Sequence, residues 1–271
     1  MVGVTILHIV VLALVQGITE FLPVSSSGHL ALVPIFTTWP DQGLMMDVAV
    51  HVGTLIAVLL YFWRDVFMMA FGLWRFLRGR KDPGAKLAGY IVLATIPVVI
   101  VGYYLNKQYP DALRSITVIG WATLGFGVLL FLTDRFGMTL RRIEHLRISD
   151  ALIIGLAQVL ALIPGTSRSG ITMTAGRLIG MERPDAARFS MLLSIPAILG
   201  AGTLKIMELI ERGDAQLTNA AVSAAGLAFI AALISISILM AWLKRSSFTP
   251  FVIYRVLLGG GLLAIAYGWV G

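Results

Sequence analysis

Apolar residues in this chain run in blocks long enough to cross a bilayer, with little of the apolar–polar alternation of a half-buried strand. Residues 87–106, 115–133 and 215–243 contain no Asp, Glu, Lys or Arg. About 20 helical residues cross a hydrocarbon core of about 30 Å, so each block is long enough for a span. The pattern predicts an all-α, polytopic membrane protein with full spans at about 44–63, 87–106, 115–133, 187–210, 219–243 and 250–270. Two apolar regions remain, 3–37 and 150–180, and each is broken in its middle. The first runs to about Phe21, breaks at Pro23-Val24-Ser25-Ser26-Ser27-Gly28, and resumes at His29. The second runs from Ala151 to Ile163, breaks at Pro164 to Ser169, and resumes to about Ile179.

Each broken region is expected to return to its own side as a re-entrant helical hairpin. Six full spans then place both termini outside, and the two hairpins come in from opposite faces, the geometry of an inverted repeat. A short echo supports a duplication. Leu14-Val15-Gln16, then Phe21-Leu22-Pro23 and Ser25-Ser26, matches Leu156-Ala157-Gln158, then Leu162-Ile163-Pro164 and Thr166-Ser167, with a gap of one residue. No linker divides the chain, so residues 1–271 are expected to form a single membrane domain.

Composition agrees: 58% of the residues are hydrophobic and 13% charged, outside the range of soluble domains. The absence of cysteine excludes a disulfide, a thiol nucleophile and a thiolate metal site. The N-terminus lacks a basic region before its apolar run, so it is not expected to be a removable signal peptide. The net charge of +7 collects at Arg75, Arg78, Arg80, Lys81 and Lys86, at Arg135, Arg141, Arg142 and Arg147, and at Lys244 and Arg245. The positive-inside rule makes those three loops cytoplasmic, and they read as orientation signals, with no nucleic-acid partner.

The polar residues inside the two breaks carry the candidate chemistry. Arg168 lies in otherwise apolar sequence, with no Asp or Glu between Asp150 and Glu182. An intramembrane arginine needs an anion, supplied either by a distant carboxylate or by a ligand. Thr166, Ser167, Ser169 and Thr172 beside it favour a phosphate-like oxyanion. Gln16 and Glu20 share a helix face before Pro23, where a carboxylate can hold a hard cation. Ser25, Ser26 and Ser27 fall at the start of the next helix, whose free N–H groups attract anions, and His29 lies one turn after Ser26. Gly28, Gly165 and Gly170 would allow close backbone approach. Asp47 and His51, four apart, form a weaker constellation at the border of this site.

These residues resemble the bacterial undecaprenyl-diphosphatase family associated with bacitracin resistance. Its first motif, Glu or Gln, three residues, then Glu, is similar to Gln16 and Glu20, and its Pro-Val-Ser-Ser-x-Gly-His stretch to Pro23–His29. Its second, Pro-Gly-x-Ser-Arg-Ser-x-x-Thr, is matched by Pro164–Thr172, and the tail Pro250–Arg255 also looks like that family. Many members carry Glu at the position of Gln16. The resemblance implies hydrolysis of undecaprenyl diphosphate to the monophosphate carrier of peptidoglycan synthesis, with Mg or Ca as cofactor. It also implies a multi-pass protein of the bacterial inner membrane, with its active site open to the periplasm or cell exterior. A homo-oligomer is compatible with that reading.

Phosphoryl transfer needs an in-line nucleophile and neutralised oxygens. The resemblance and the chemistry together assign Ser26 as nucleophile and His29 as its base. They place Arg168 with the Ser167 and Ser169 region on the phosphoryl oxygens, Ser25, Ser27, Thr166 and Thr172 as further phosphate-binding candidates, and Glu20 with Gln16 at the cation. His29 or water as the attacking group stays open. The alternative is a transporter or flippase for polyprenyl phosphate or another anion, since broken helices around a midplane site also build secondary transporters.

Overall fold

The computed structural model describes residues 6–37, 39, 43–108, 115–211 and 219–269. The described residues form α-helices joined by short turns, with no β-strand. Six helices are long and apolar enough to cross a membrane: α3 (Gly43–Tyr61), α5 (Pro83–Gln108), α6 (Ile116–Phe136), α9 (Arg183–Glu211), α10 (Asn219–Leu243) and α11 (Thr249–Ala266). They match the six spans expected from hydropathy, with ends shifted by a few residues.

The broken regions are pairs of short helices: α1 (Ile6–Thr19) with α2 (Ser26–Phe36), and α7 (Ile148–Val159) with α8 (Arg168–Leu178). At about 1.5 Å per residue none of the four crosses the core alone. Contacts at the outer ends show where each pair begins and finishes. The His8 ring near the start of α1 lies 4.8 Å from the ring of Trp39, beyond the end of α2. Arg141 holds both Asp150, in the first turn of α7, and the Ile179 carbonyl at the end of α8.

The two halves correspond in their packing. α1 lies on α10 as α7 lies on α5, and α6 pairs with α11. Glycine makes both short-helix contacts close. A Cβ on Gly17 would stand 2.7 Å from the Ala228 carbonyl oxygen, and one on Gly155 would stand 2.7 Å from that of Ala94.

One helix has no counterpart in this scheme and was not expected. α4 (Trp63–Leu77) follows α3 directly. Its Gly72 faces Ala85 of α5, while Trp63, Phe67 and Trp74 point outward. Arg64, Asp65 and Arg75 leave it no charge-free run of spanning length.

The three basic loops share one end of the bundle. Asp134 at the end of α6 accepts from Arg177 of α8 at 3.1 Å, from Arg183 of α9 at 2.7 Å and from the Phe248 N–H before α11 at 3.2 Å. Arg188 of α9 pairs with Asp65 of α4 at the same end.

Candidate active site

Both breaks solve the same backbone problem in the same way. Ser25 and Ser167 are the non-glycine residues with positive φ among those described, at 79° and 71°. Each is the N-cap of the helix that follows. Ser25 Oγ accepts from the Gly28 N–H at 3.2 Å, and Ser167 Oγ accepts from the Gly170 N–H at 3.1 Å. Such a conformation is strained for an L-residue and persists only where its surroundings fix it.

This correspondence corrects the register of the repeat. Leu14 and Leu156, Gln16 and Gln158, Ser25 and Ser167, and Gly28 and Gly170 are all 142 positions apart, so no gap is needed. Pro23 and Pro164, which the sequence echo aligned, are offset by one. The first helical residues are then Ser26 in one half and Arg168 in the other. The hydroxyl and the guanidinium with the strongest chemical claim therefore occupy equivalent positions.

Glu20 joins them. Its Oε1 accepts from Arg168 Nη2 at 2.6 Å, and its Oε2 accepts from Ser26 Oγ at 2.7 Å and Gln16 Nε2 at 2.9 Å. The distant carboxylate that Arg168 required is thus Glu20, across the two breaks. The breaks also touch through backbone, since a Cβ on Gly28 would lie 3.5 Å from the Gly165 Cα. Gly165 has φ of 94°, and a Cβ there would stand 2.5 Å from the Ile119 carbonyl oxygen. Only glycine fits this approach.

His29 is near this cluster but is held by other groups. Its Nδ1 lies 2.6 Å from the Ser25 carbonyl oxygen, so it carries the proton and donates. Its Nε2 lies 2.5 Å from the Tyr254 hydroxyl, and the two rings stack at 5.7 Å. With Nδ1 protonated, neutral His29 accepts from Tyr254. The hydrogen bond expected between Ser26 and a His29 base is replaced by the one from Ser26 to Glu20.

Two further hydroxyl candidates, Ser169 and Thr172, are engaged within the protein. Ser169 Oγ donates to the Leu22 carbonyl at 2.9 Å and lies 3.1 Å from Ser167 Oγ, stitching the breaks together. Thr172 Oγ1 donates back to the Arg168 carbonyl at 2.8 Å and meets Ser190 of α9 at 2.6 Å. It is buried against α9. The Thr166 hydroxyl is buried without a hydrogen-bond partner. Ser27 lies within α2, and its side chain falls outside the described residues. His51 donates to the Asp47 carbonyl at 2.7 Å, while the Asp47 carboxylate takes Lys205 at 2.9 Å.

Arg255 was overlooked as a site residue. It is fully buried, and among the described residues no carboxylate pairs with it. Its guanidinium donates to the carbonyls of Pro23 at 3.3 Å and Gly165 at 3.1 Å, one from each break. It also donates to Thr123 at 3.0 Å and Ala122 at 3.4 Å in α6. The signal was available, because Arg255 is the one charged residue in the span Thr249–Ala266. The rule that singled out Arg168 applies to it equally.

A family model described as bacitracin resistance protein BacA matches residues 9–261, a region that includes both breaks and Arg255. The chain belongs to the BacA family. It is 56% identical to undecaprenyl-diphosphatase 1 of Rhodospirillum rubrum over 269 residues, covering 97% of this chain and 95% of that protein. It is 54% identical to the undecaprenyl-diphosphatase of Ruegeria pomeroyi and 51% identical to that of Roseobacter denitrificans, in each case over 97% of this chain and 99% of the relative. Seen within the BacA family, the two breaks, the three-way contact at Glu20 and the Arg255 tie form one constellation, at the junction of the two halves.

Proposed function

We propose that this chain hydrolyses undecaprenyl diphosphate to undecaprenyl phosphate and inorganic phosphate. The observation that carries the reading is the Ser26 hydroxyl held at 2.7 Å on a carboxylate whose other oxygen is clamped by Arg168. A hydroxyl, a proton acceptor for it and a planar cation for phosphoryl oxygens stand together. An anion carrier has no use for the first two.

In the proposed reaction Ser26 Oγ attacks the terminal phosphorus in line, and its proton passes to Glu20. The bond from phosphorus to the bridging oxygen breaks, and the lipid monophosphate leaves as an anion that needs little protonation. Arg168 moves from Glu20 toward the non-bridging oxygens, helped by the unpaired N–H groups that begin α2 and α8. Water then attacks the phosphoserine phosphorus, the bond to Ser26 Oγ breaks, inorganic phosphate leaves, and Glu20 returns its proton to Oγ. His29 Nε2 already accepts from Tyr254, so it would take that water's proton through the Tyr254 hydroxyl, which passes its own proton to Nε2 and receives the water's.

The residues fit a divalent cation shared with the substrate. Gln16 Oε1 is buried beside Glu20 without a hydrogen-bond partner. Among the described residues no group of three or more His, Cys, Asp or Glu could hold a metal, so a cation here would draw further ligands from amide, hydroxyl or substrate oxygens. One carboxylate and one amide oxygen, completed by diphosphate oxygens, suit Mg or Ca. When bound, the cation would neutralise charge on the diphosphate.

The contacts at the outer ends of α1–α2 and α7–α8 support two re-entrant hairpins in an inverted repeat. With the basic end assigned to the cytoplasm, the protein sits in the bacterial inner membrane with its active site open to the periplasm or cell exterior. The test is phosphate release from C55 polyprenyl diphosphate by purified protein in detergent with Mg. Loss of release in Ser26→Ala, together with phosphoserine trapped on the wild type, is expected. Full release by Ser26→Ala would overturn the assignment of the nucleophile.

A further inference from the structure

A cavity of about 990 Å3 lies between α4, the start of α5 and the 3-10 turn Ile143–His145. It shares no residue with the candidate active site. Its volume is at the upper end of the range of about 300–1,000 Å3 usual for small-molecule sites. The interior is apolar, lined by Met68, Phe76, Leu87 and Tyr90 among others. Two lysines, Lys81 and Lys86, also line it.

The charges around this cavity are unevenly satisfied. Asp82 is engaged by Arg75 at 3.2 Å and by the Gly84 N–H at 2.8 Å. Arg188 is engaged by Asp65, while Glu144 lines the cavity without an ion pair among the described residues, one carboxylate against the two lysines. Among the described residues Lys81 and Lys86 have no carboxylate partner, and the Lys86 ammonium rests 5.5 Å from the Tyr90 ring centroid. An apolar chamber with two unmatched ammonium groups is complementary to a molecule with a hydrophobic tail and an anionic head.

The setting identifies that molecule as a lipid. α4 turns Trp63, Phe67 and Trp74 away from the protein, with 45–65% of each residue exposed. Arg78 stacks over Trp74 at 3.7 Å and Arg75 over Phe71 at 4.7 Å. Aromatic residues interleaved with arginine on an amphipathic helix belong at the level of lipid head groups. Basic pockets between helices at that level bind anionic lipids.

We propose that the cavity between α4, α5 and the Ile143–His145 turn binds an anionic phospholipid, with an acyl chain in its apolar interior and the phosphate on Lys81 and Lys86. The site is independent of the phosphatase reading. Gly89, which lines the cavity, supplies an uncharged control. A Cβ there meets nothing within 4 Å, so the side chain of Gly89→Leu would start into open space at the cavity wall.

The test is lipid retention by the full chain in detergent, read by native mass spectrometry with phosphatidylglycerol and phosphatidylcholine of matched chains. The wild type should retain phosphatidylglycerol roughly tenfold or more over phosphatidylcholine. Lys81→Gln with Lys86→Gln should remove that preference, and Gly89→Leu should lower retention of both lipids. Equal retention of the two lipids by wild type, or an unchanged preference in the double variant, would overturn the proposal. So would displacement of phosphatidylglycerol by an equal concentration of glycerol phosphate, since the site would then be one for a soluble anion.

Discussion

Glu20, just beyond the end of α1, and Arg168, the first residue of α8, meet at 2.6 Å and so close the two broken regions onto each other. Both side chains are largely buried, at 7% and 18% exposure. Removing one member of such a pair strands the other charge, at a cost of about 3–5 kcal/mol, whereas removing both together is far milder. Arg168→Ala should therefore lower thermal stability more than Arg168→Ala combined with Glu20→Gln. Phosphate release should fall by at least about 10²-fold in each variant, the scale for losing one transition-state donor. Stability that recovers in the double variant while activity does not would separate the structural share of the pair from its catalytic share. Identical stability in the single and double variants would show that the pair is not formed.

Arg255 holds carbonyl oxygens from both breaks and from α6 without touching Glu20 or Ser26. Its removal leaves buried carbonyls unpaired, at about 1–3 kcal/mol each. Arg255→Met is expected to unfold at markedly lower temperature. Arg255→Lys, which keeps the charge but not the planar fork, should keep most of the stability and lose kcat more than KM. Equal losses of stability from Lys and Met would mean that charge and volume, rather than the fork, are what the fold uses.

Much of this was legible in the sequence, for physical reasons that differ by residue. The six spans follow from runs without charge, since hydrocarbon cannot solvate ionised groups. Glu20, Ser26 and Arg168 stood out because polar side chains in apolar sequence have to be explained. Partners more than 100 positions away have no local signature. Nothing near His29 points to Tyr254, and the link from Ser26 to Glu20 depends on how the chain turns between Glu20 and Val24. Aligning the breaks on their conspicuous prolines puts them one residue out of register, while Gln16 and Gln158 are already matched correctly. The feature that the two halves share is a serine cap with positive φ. α4 was missed because its arginines read as a loop, although they lie over its aromatic rings.

The glycines at the crossings give a sharp structural test. Gly165→Ala places a Cβ 2.5 Å from a backbone oxygen at φ of 94°, so both space and conformation oppose it. Loss of folded protein, or of activity by more than tenfold, is expected from size-exclusion yield and phosphate release. Gly125→Ala, on an exposed position of α6 where a Cβ meets nothing within 4 Å, should be neutral or stabilising by up to about 1 kcal/mol. Equal behaviour of the two variants would contradict the packing of Gly165 on α6.

Tyr254 touches the site through a single hydrogen bond to His29 Nε2. Tyr254→Phe keeps the ring that stacks on the imidazole and removes only the hydroxyl. Net stability should change by no more than about 1.5 kcal/mol, the scale of one hydrogen bond. If His29 manages the proton of the attacking water, kcat should drop about tenfold with KM little changed, and trapped phosphoserine should increase because the second step is slowed. An unchanged kcat would reduce Tyr254 to a packing role.

Gln16 is the position at which cation binding can be tuned without removing any group that touches the phosphoryl oxygens. Its amide nitrogen already donates to Glu20 at 2.9 Å, and its amide oxygen is buried without a partner. Gln16→Glu puts a second carboxylate beside the first. Without a cation the two negative charges repel, so the variant should be less stable in a chelator than the wild type. With Mg or Ca the pair gains a common ligand, and stability should recover by the linkage between binding and folding. The expected signature is a larger cation-dependent rise in melting temperature than in the wild type, with half-maximal phosphate release at a lower Mg concentration. A variant whose melting temperature ignores Mg and Ca would place the cation away from Gln16 and Glu20, on the diphosphate alone.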